Sequence, residues 1–281
     1  MNSNPLISVI ITTYNRPNLL KRSIDSVLKQ TYKNIELIII DDSSKDLIEL
    51  PDDNRIIYFR NKKNKGVQYS RNKGLSMVSG TYVLNLDDDD YFHKKRIEIL
   101  YQSFKKDKYS FICSNYQYII GDQISTKINK VNIKEIKLND ILFSSVVGPS
   151  IFTKTQYIKE VGGWDLQLNS AQDLDLWIRL IHYKGKALRV DNNLLTVDQS
   201  PERSRISNNK KVLDGYYIVY LKHKNLMNKK HIKYNMIKFR RQKGLKNSFA
   251  KILKYTPSYL LNNELKIFIQ NYMLKQLLPG R

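Results

Sequence analysis

Cysteine is nearly absent from this chain of 281 residues: Cys113 is the single one, so no disulfide can close within it. That usage suits a reducing compartment, and a cytoplasmic protein is expected. Histidine is scarce too, and His93, His182, His223 and His231 lack the spacing of a zinc site, which argues against a zinc enzyme. No apolar stretch approaches the roughly 18 residues that a membrane-crossing helix needs. The start, Met1-Asn2-Ser3-Asn4-Pro5, carries neither a charged leader nor an apolar run. The expectation is a protein neither exported by a visible signal nor threaded through a membrane. Acidic residues run out toward the far end: from position 207 on, Asp214 and Glu264 stand against 17 lysines and arginines, which hold most of the net charge of +22. A segment so basic implies a polyanionic partner, either nucleic acid or an anionic membrane surface. With 41% hydrophobic residues the chain is otherwise rich enough to fold around a sizeable core.

What is present begins with short apolar runs that end in polar residues. Ile7 to Ile11 leads into Thr12-Thr13-Tyr14-Asn15-Arg16, Ile35 to Ile40 ends in Asp41-Asp42, and Tyr82 to Leu86 ends in the four aspartates Asp87 to Asp90. Runs of this length, rich in β-branched residues, read as strands buried on both faces of a parallel sheet, whose ligands bind beyond the strands' carboxyl ends. An acidic run alone reads more readily as a solvated turn. Clustered at a strand end it suits a hard divalent cation, Mg²⁺ or Mn²⁺, which carboxylates hold together with substrate phosphates.

Between the runs lie helical patterns. One opens at Pro17, a favourable first-turn residue, with Leu20, Ile24, Val27 and Leu28 on one face. A turn at Asn64-Lys65-Gly66 precedes a helix over about Val67 to Val78 that carries Arg71 and Asn72, and another helix follows over about Lys94 to Phe104. Such alternation predicts a right-handed, mostly parallel α/β sheet. Residues 110 to 200 look less regular. Within them a helix opens near Ala171 with Leu174, Trp177 and Ile181 on one face, and Asp173 falls in or before its first turn, where the helix dipole favours a carboxylate even without a function. From Ser207 on, short amphipathic helices are broken by Gly244 and Pro257. Leu265, Phe268, Ile269 and Tyr272 form a stripe that suits either packing on the rest of the protein or a membrane interface.

Taken in order, these segments resemble the family-2 glycosyltransferases with a GT-A nucleotide-binding fold, over roughly residues 5 to 200. The resemblance rests on Ile7 to Arg16, Ile38 to Ser44, Gly66 with Ser70-Arg71-Asn72-Lys73-Gly74, Leu86 to Asp90, and Gly162-Gly163-Trp164-Asp165 with Gln172-Asp173-Leu174-Asp175-Leu176. It implies an α/β fold: a GT-A domain over 1–206, built on a mixed, mostly parallel sheet flanked by helices, and a basic amphipathic helical extension over 207–281. It further implies an inverting, metal-dependent transfer of a hexose or N-acetylhexosamine to a glycan or glycolipid acceptor. Thr12, Tyr14 and Asp41 would hold the nucleotide base and ribose, and a carboxylate there accepts the N3–H of uracil, which favours a UDP-sugar. Gly66, Asn72 and Asp89 belong to the same donor site, and Arg71 would lie near the nucleotide or diphosphate. Asp89 and Asp90 would hold Mn²⁺ or Mg²⁺, while Asp87 supports the turn. Asp173 would be the general base, with Gln172 standing where relatives usually carry Glu. Many relatives have a histidine after that helix; here Asp198 would replace it as a metal ligand, and Arg203 or Arg205 would hold the diphosphate.

Two other classes compete. The basic, tyrosine-bearing tail fits nucleic-acid binding but leaves the acidic constellation unexplained. A phosphatase with Asp87 as nucleophile and Asp89 as partner leaves Asp41 and Asp173 without a role. The preferred expectation is a peripheral enzyme at the inner face of the cell membrane, bound there by its tail, with no nucleic-acid partner.

Overall fold

The computed structural model describes residues 4–104, 108–121, 123–129, 133–200, 212–245 and 247–277. In chain order its elements are β1 (Ile7–Thr13), α1 (Pro17–Leu28), β2 (Ile35–Asp41), β3 (Ile56–Arg60), α2 (Val67–Met77), β4 (Tyr82–Asp87), β5 (Tyr91–Phe92), α3 (Arg96–Ser103), β6 (Ile112–Ile120) and β7 (Gln123–Asn129). They continue with β8 (Glu135–Ile136), α4 (Leu138–Ile141), β9 (Phe152–Lys154), α5 (Thr155–Glu160), α6 (Gln172–Lys184) and β10 (Ala187–Asp198), and end in four helices, α7 (Val212–His223), α8 (Lys229–Gln242), α9 (Phe249–Tyr255) and α10 (Ser258–Leu277).

One mixed sheet runs in the order β3-β2-β1-β4-β9-β6-β10-β5, with β7 on β6 and β8 on β10. Every residue of β1 and β2 is buried, which is why their sequences run apolar without alternation. The parallel register sets Thr13 beside Asp41 and Thr12 beside Asp87, so three strand ends rise to one level in the order β2, β1, β4. Helix α1 buries Leu20, Ile24 and Val27 as its periodicity requires, and Ser23 with them. That serine is not a packing residue, since its hydroxyl donates to the carbonyls of Asp88 and Asp90 and pins the acidic turn to the helix.

The stretch from 110 to 200 is far more regular than its pattern suggests. It holds the long strands β6 and β10, paired in parallel through most of their length. Polar Asp191-Asn192-Asn193 interrupts β10 at register shifts, which hides a strand from any test of apolar continuity.

Of the last four helices, α8 and α10 dock on the α4 segment, α7 packs on α6 and α8, and α9 on α8 and α10. His231 Nε2 and Tyr259 OH meet the carbonyls of Asn139 and Asp140 at 2.9 Å, Asn235 donates to that of Leu142 at 3.0 Å, and Lys238 to that of Phe143 at 2.8 Å. Those side chains supply the hydrogen bonds that the end of a short helix lacks. The breaks fall at Gly244, left-handed at φ +70°, and at Pro257. The stripe on α10 divides: Leu265 and Phe268 are half-buried, Phe268 against Phe249 at 5.3 Å, while Ile269 is 57% exposed; the Tyr272 side chain lies outside the described part. Among the described residues no helix is long and apolar enough to cross a membrane. The expected boundary at 206/207 lies outside the described residues.

Candidate active site

Three carboxylates meet where β4 ends. Asp87, Asp89 and Asp90 each bring one oxygen to within 4.8 Å of the others, the arrangement that hard-oxygen metals accept. A turn closed by the Asp90 N–H on the Asp87 carbonyl at 3.1 Å curls them together. Asp88 faces elsewhere and accepts from the Thr13 hydroxyl at 2.8 Å and from Arg16 at 3.0 Å. Burial pushes its carboxyl up to about 6, against the pull of Arg16. Asp87, expected only to support the turn, thus joins the cluster beside the expected Asp89 and Asp90. Asp198 comes close without joining: its N–H donates to Asp90 at 3.1 Å, but its carboxylate lies 2.8 Å from Arg22 and accepts from Ser200. Arg203 and Arg205 lie outside the described residues.

Arg71 connects this cluster to the other candidate acid. Its side chain is 3% exposed and reaches Asp87 at 2.6 Å and Asp173 at 2.7 Å. Burial alone would weaken its hold on a proton, but the two carboxylates outweigh that and raise its pKa. Asp173 also accepts from the Trp164 indole at 3.1 Å. Burial raises its pKa above the ordinary carboxylate value, Arg71 opposes the rise and the charge of Asp87 adds to it. Asn72 locks the turn that carries Trp164, donating to its carbonyl at 2.7 Å and accepting from its N–H at 2.9 Å. A Cβ on Gly163 would come within 2.5 Å of the Asn72 oxygen, so that turn requires glycine. The structure therefore sets Asn72 behind the turn beside Asp173, and Arg71 between Asp173 and the cluster.

On the far side of the cluster, the turns after β1 and β2 are stitched together. Asn15 and Ser43 both adopt left-handed backbone conformations, at φ 55° and 70°. The Asn15 N–H donates to Ser44 at 2.9 Å and its side chain accepts from the Lys45 N–H at 2.7 Å. An open cleft of about 470 Å³ lies against them, lined by Asn15, Pro17, Ser44, Lys45 and Asp46 among others. Tyr14, 45% exposed, and the nearly buried Thr12 stand at the same strand end. Asp41 is 0% exposed and accepts from the N–H and hydroxyl of Ser44 and from Tyr58 at 3.0 Å. Gly66, at φ +90°, caps α2, and its N–H donates to Asp42 at 2.7 Å. Sequence reasoning passed over Arg16, Arg22, Trp164 and Asp42. Of these, Asp42 carried a local signal as the second acid of its pair, and Arg16 and Trp164 lie within segments that carry the resemblance; Arg22 had none.

Comparison with known proteins gives the family. The glycosyl transferase family 2 pattern matches residues 8–159, more than half of the chain, and the chain belongs to that family. It is therefore a glycosyltransferase, the enzyme class preferred from the sequence. A putative colanic acid biosynthesis glycosyl transferase of Escherichia coli K12, WcaA, is 29% identical over 245 residues, covering 84% of this chain and 88% of its own. WfaP of Escherichia coli, a UDP-Glc:α-D-GlcNAc-diphosphoundecaprenol β-1,3-glucosyltransferase, is 39% identical over 127 residues, 44% of this chain and half of its own. Among solved structures, residues 1–349 of TarS from S. aureus in complex with UDP-GlcNAc superpose with a TM-score of 0.66 at 18% identity, over 94% of this chain and 81% of that one. The mannosyltransferase PcManGT of Pyrobaculum calidifontis, in complex with GDP-Man and Mn²⁺, gives 0.62 at 12% identity, over 100% and 89%. At such identities these two speak for the fold alone, which is the expected GT-A fold.

Proposed function

We propose that the chain is an inverting, metal-dependent hexosyltransferase that moves a hexose or N-acetylhexosamine from a UDP-sugar to a hydroxyl of a lipid-linked surface glycan. The observation that carries this reading is the chain of contacts Asp87–Arg71–Asp173, which sets a single half-buried carboxylate one guanidinium away from a cluster of three. Three carboxylates converging at a strand end fit a hard divalent ion such as Mn²⁺ or Mg²⁺, held by Asp89 and Asp90 with Asp87 beside them. Such an ion, when bound, neutralises charge on the departing diphosphate as a Lewis acid. Asp173 takes the proton of the acceptor hydroxyl as that oxygen forms its bond to the anomeric carbon and the bond to UDP breaks, so the anomeric centre inverts. Arg71 holds the Asp173 carboxylate in place, and Asn72 fixes the turn beneath it. Thr12 and Tyr14 belong to the nucleotide pocket beside the cleft, and Asp41 shapes that pocket through the Ser44 it holds. Gly66 does the same through Asp42. Arg203 remains assigned to the diphosphate.

The donor class draws support from the UDP-GlcNAc held by TarS and the UDP-Glc of WfaP, and the lipid-linked acceptor from the diphosphoundecaprenol acceptor of WfaP. WcaA supports a place in polysaccharide biosynthesis, and PcManGT supports the metal. The basic helices α7 to α10 are assigned to an anionic membrane surface, which would make the enzyme peripheral at the inner face of the cell membrane. The test is a thermal-unfolding screen of nucleotide sugars with Mn²⁺. A UDP-sugar at 100 times its Kd should add about 2.7 kcal/mol of stability, and it should then release free UDP when acceptor is supplied. Protection by GDP-sugars and not by UDP-sugars would overturn the donor assignment.

A further inference from the structure

Asp175 lies two residues beyond Asp173 on α6, is 0% exposed, and draws partners from two helices. Arg179, one turn on, binds its Oδ2 at 2.7 and 2.8 Å and also donates to the carbonyls of Val161 and Gly163, which fixes the turn bearing Trp164. From α7 come Lys222, at 2.9 Å from Oδ1, and His223, whose Nε2 lies 2.8 Å from the same oxygen. Lys222 also reaches Asp165 of that turn at 2.6 Å.

Burial alone would raise the Asp175 pKa. The His223 hydrogen bond and the charges of Arg179 and Lys222 instead hold it well below the ordinary value, so its charge stays. The backbone of α7 also lies directly on the loop that delivers the base. A Cβ on Gly215 would meet the Ser170 hydroxyl at 2.0 Å and its carbonyl oxygen at 2.6 Å. Ser170 precedes Ala171, whose backbone is left-handed at φ 56°, and Asp173 follows two residues later. Tyr216, next to Gly215, is close enough for the Asp173 charge to help burial raise its pKa. Together with Leu174 it lines a cavity between α6, α7 and α8.

We infer that Asp175 and His223 form a positioning pair that sets the pose of Asp173 by clamping α7 onto the first turn of α6, so that the catalytic unit runs through His223. This rests on the reading of Asp173 as the general base. The first of the C-terminal helices would then serve the reaction as well as the attachment of the later ones. A base must meet the acceptor hydroxyl within hydrogen-bond reach, and misplacement by about 1 Å costs up to roughly 10²-fold.

The experiment uses the full chain with His223→Ala, His223→Gln and Gly215→Ala, each measured for folded fraction, donor KM and kcat. His223→Ala and Gly215→Ala should lower kcat on the order of 10- to 100-fold, with donor KM and UDP binding within about twofold. His223→Gln, whose amide N–H can reach the same carboxylate, should recover most of the loss. Unchanged kcat in the folded variants would overturn the inference, as would a loss that merely follows the folded fraction or moves donor KM equally. Should His223→Ala fail to fold, Gly215→Ala decides alone, since it leaves the side chains of Asp175, Arg179, Lys222 and His223 unchanged while its Cβ pushes α7 off Ser170. A wild-type chain that binds no nucleotide sugar would instead defeat the proposed function, so the two failures are distinct.

Discussion

Two acidic sites in this molecule are built on opposite principles. At Asp175 one buried carboxylate gathers Arg179, Lys222 and His223. At the end of β4 four consecutive aspartates share their cations: Arg16 is divided between Asp88 and Asp89, and Arg71 between Asp87 and Asp173. Buried charge is tolerated where it is paired and hydrogen-bonded, and breaking such a pair costs far more than its net worth. The first site is therefore a fixed anchor. The second retains negative charge that a divalent ion can use, and the ion in turn would meet a diphosphate. On the proposed function, the contrast separates a carboxylate that clamps two helices from carboxylates that would meet ion and substrate.

The largest expected effect falls on the working site. Asp90→Ala, or chelation of the wild type, should lower transfer by about 10³-fold or more, the several kcal/mol that a Lewis-acidic ion supplies. It should also weaken UDP binding in calorimetry. Full turnover in excess EDTA would erase the distinction between the two sites.

Next comes the base. Asp173→Asn should leave donor binding nearly intact and slow transfer by roughly 10²- to 10⁴-fold. Loss of folding and donor binding together would make Asp173 a structural acid like Asp175. Because burial raises the Asp173 pKa, kcat/KM should rise with pH through a limb above the ordinary carboxylate range. Arg71 opposes that rise, so Arg71→Met should carry the limb to still higher pH in a rate profile. A limb that stays put would detach the guanidinium from the base.

The anchor should answer in stability. Asp175→Asn is expected to cost about 3–5 kcal/mol at neutral pH, the penalty of breaking a buried pair. The sign with pH follows from its lowered pKa. The contribution is complete above the unfolded-chain value of 3.8 and drains away as pH falls below it toward the folded value. Denaturant titrations should thus show the wild type losing stability in acid more steeply than the variant. Parallel curves would mean that Asp175 is not the charge that matters.

The same contrast explains what could be read from the chain itself. The strand ends were legible because β1, β2 and β4 are buried on both faces and stop abruptly at polar residues. Their parallel register then sets Thr13 beside Asp41 and Thr12 beside Asp87. The anchor was not legible. Asp175 meets His223 across 48 positions and Arg71 meets Asp173 across 102, and no local periodicity encodes such pairs. Strand β10 escaped for a related reason, since its polar middle is tolerated only where bulges break the register with β6. The tail was legible as helices with a charge, while its docking through buried Tyr234, Asn235 and Glu264 depends on carbonyls of α4 that sequence pattern does not reveal.

The smallest effect concerns that tail, where a third arrangement of charge leaves most lysines in solvent. Exposed Phe249 and Leu253 lie one turn apart on α9, and exposed Ile269 follows Phe268, which packs on Phe249. Each basic residue near an anionic surface contributes about 1 kcal/mol, and salt screens that attraction over roughly 10 Å at 0.1 M. Insertion of apolar side chains is not screened, so binding should need both. Deleting α10 is a poor test, because Glu264 holds Tyr234 and Arg241 of α8 and its loss would disturb the fold. Serine at 249, 253 and 269 removes the apolar contribution alone. The wild type should sediment with vesicles containing phosphatidylglycerol at low salt and less so as salt rises. The serine variant should be released at lower salt, yet glycosylate a soluble acceptor at the wild-type rate. Equal partitioning of the two, or preference for RNA over the vesicles, would show that the charge of the tail serves something other than a membrane.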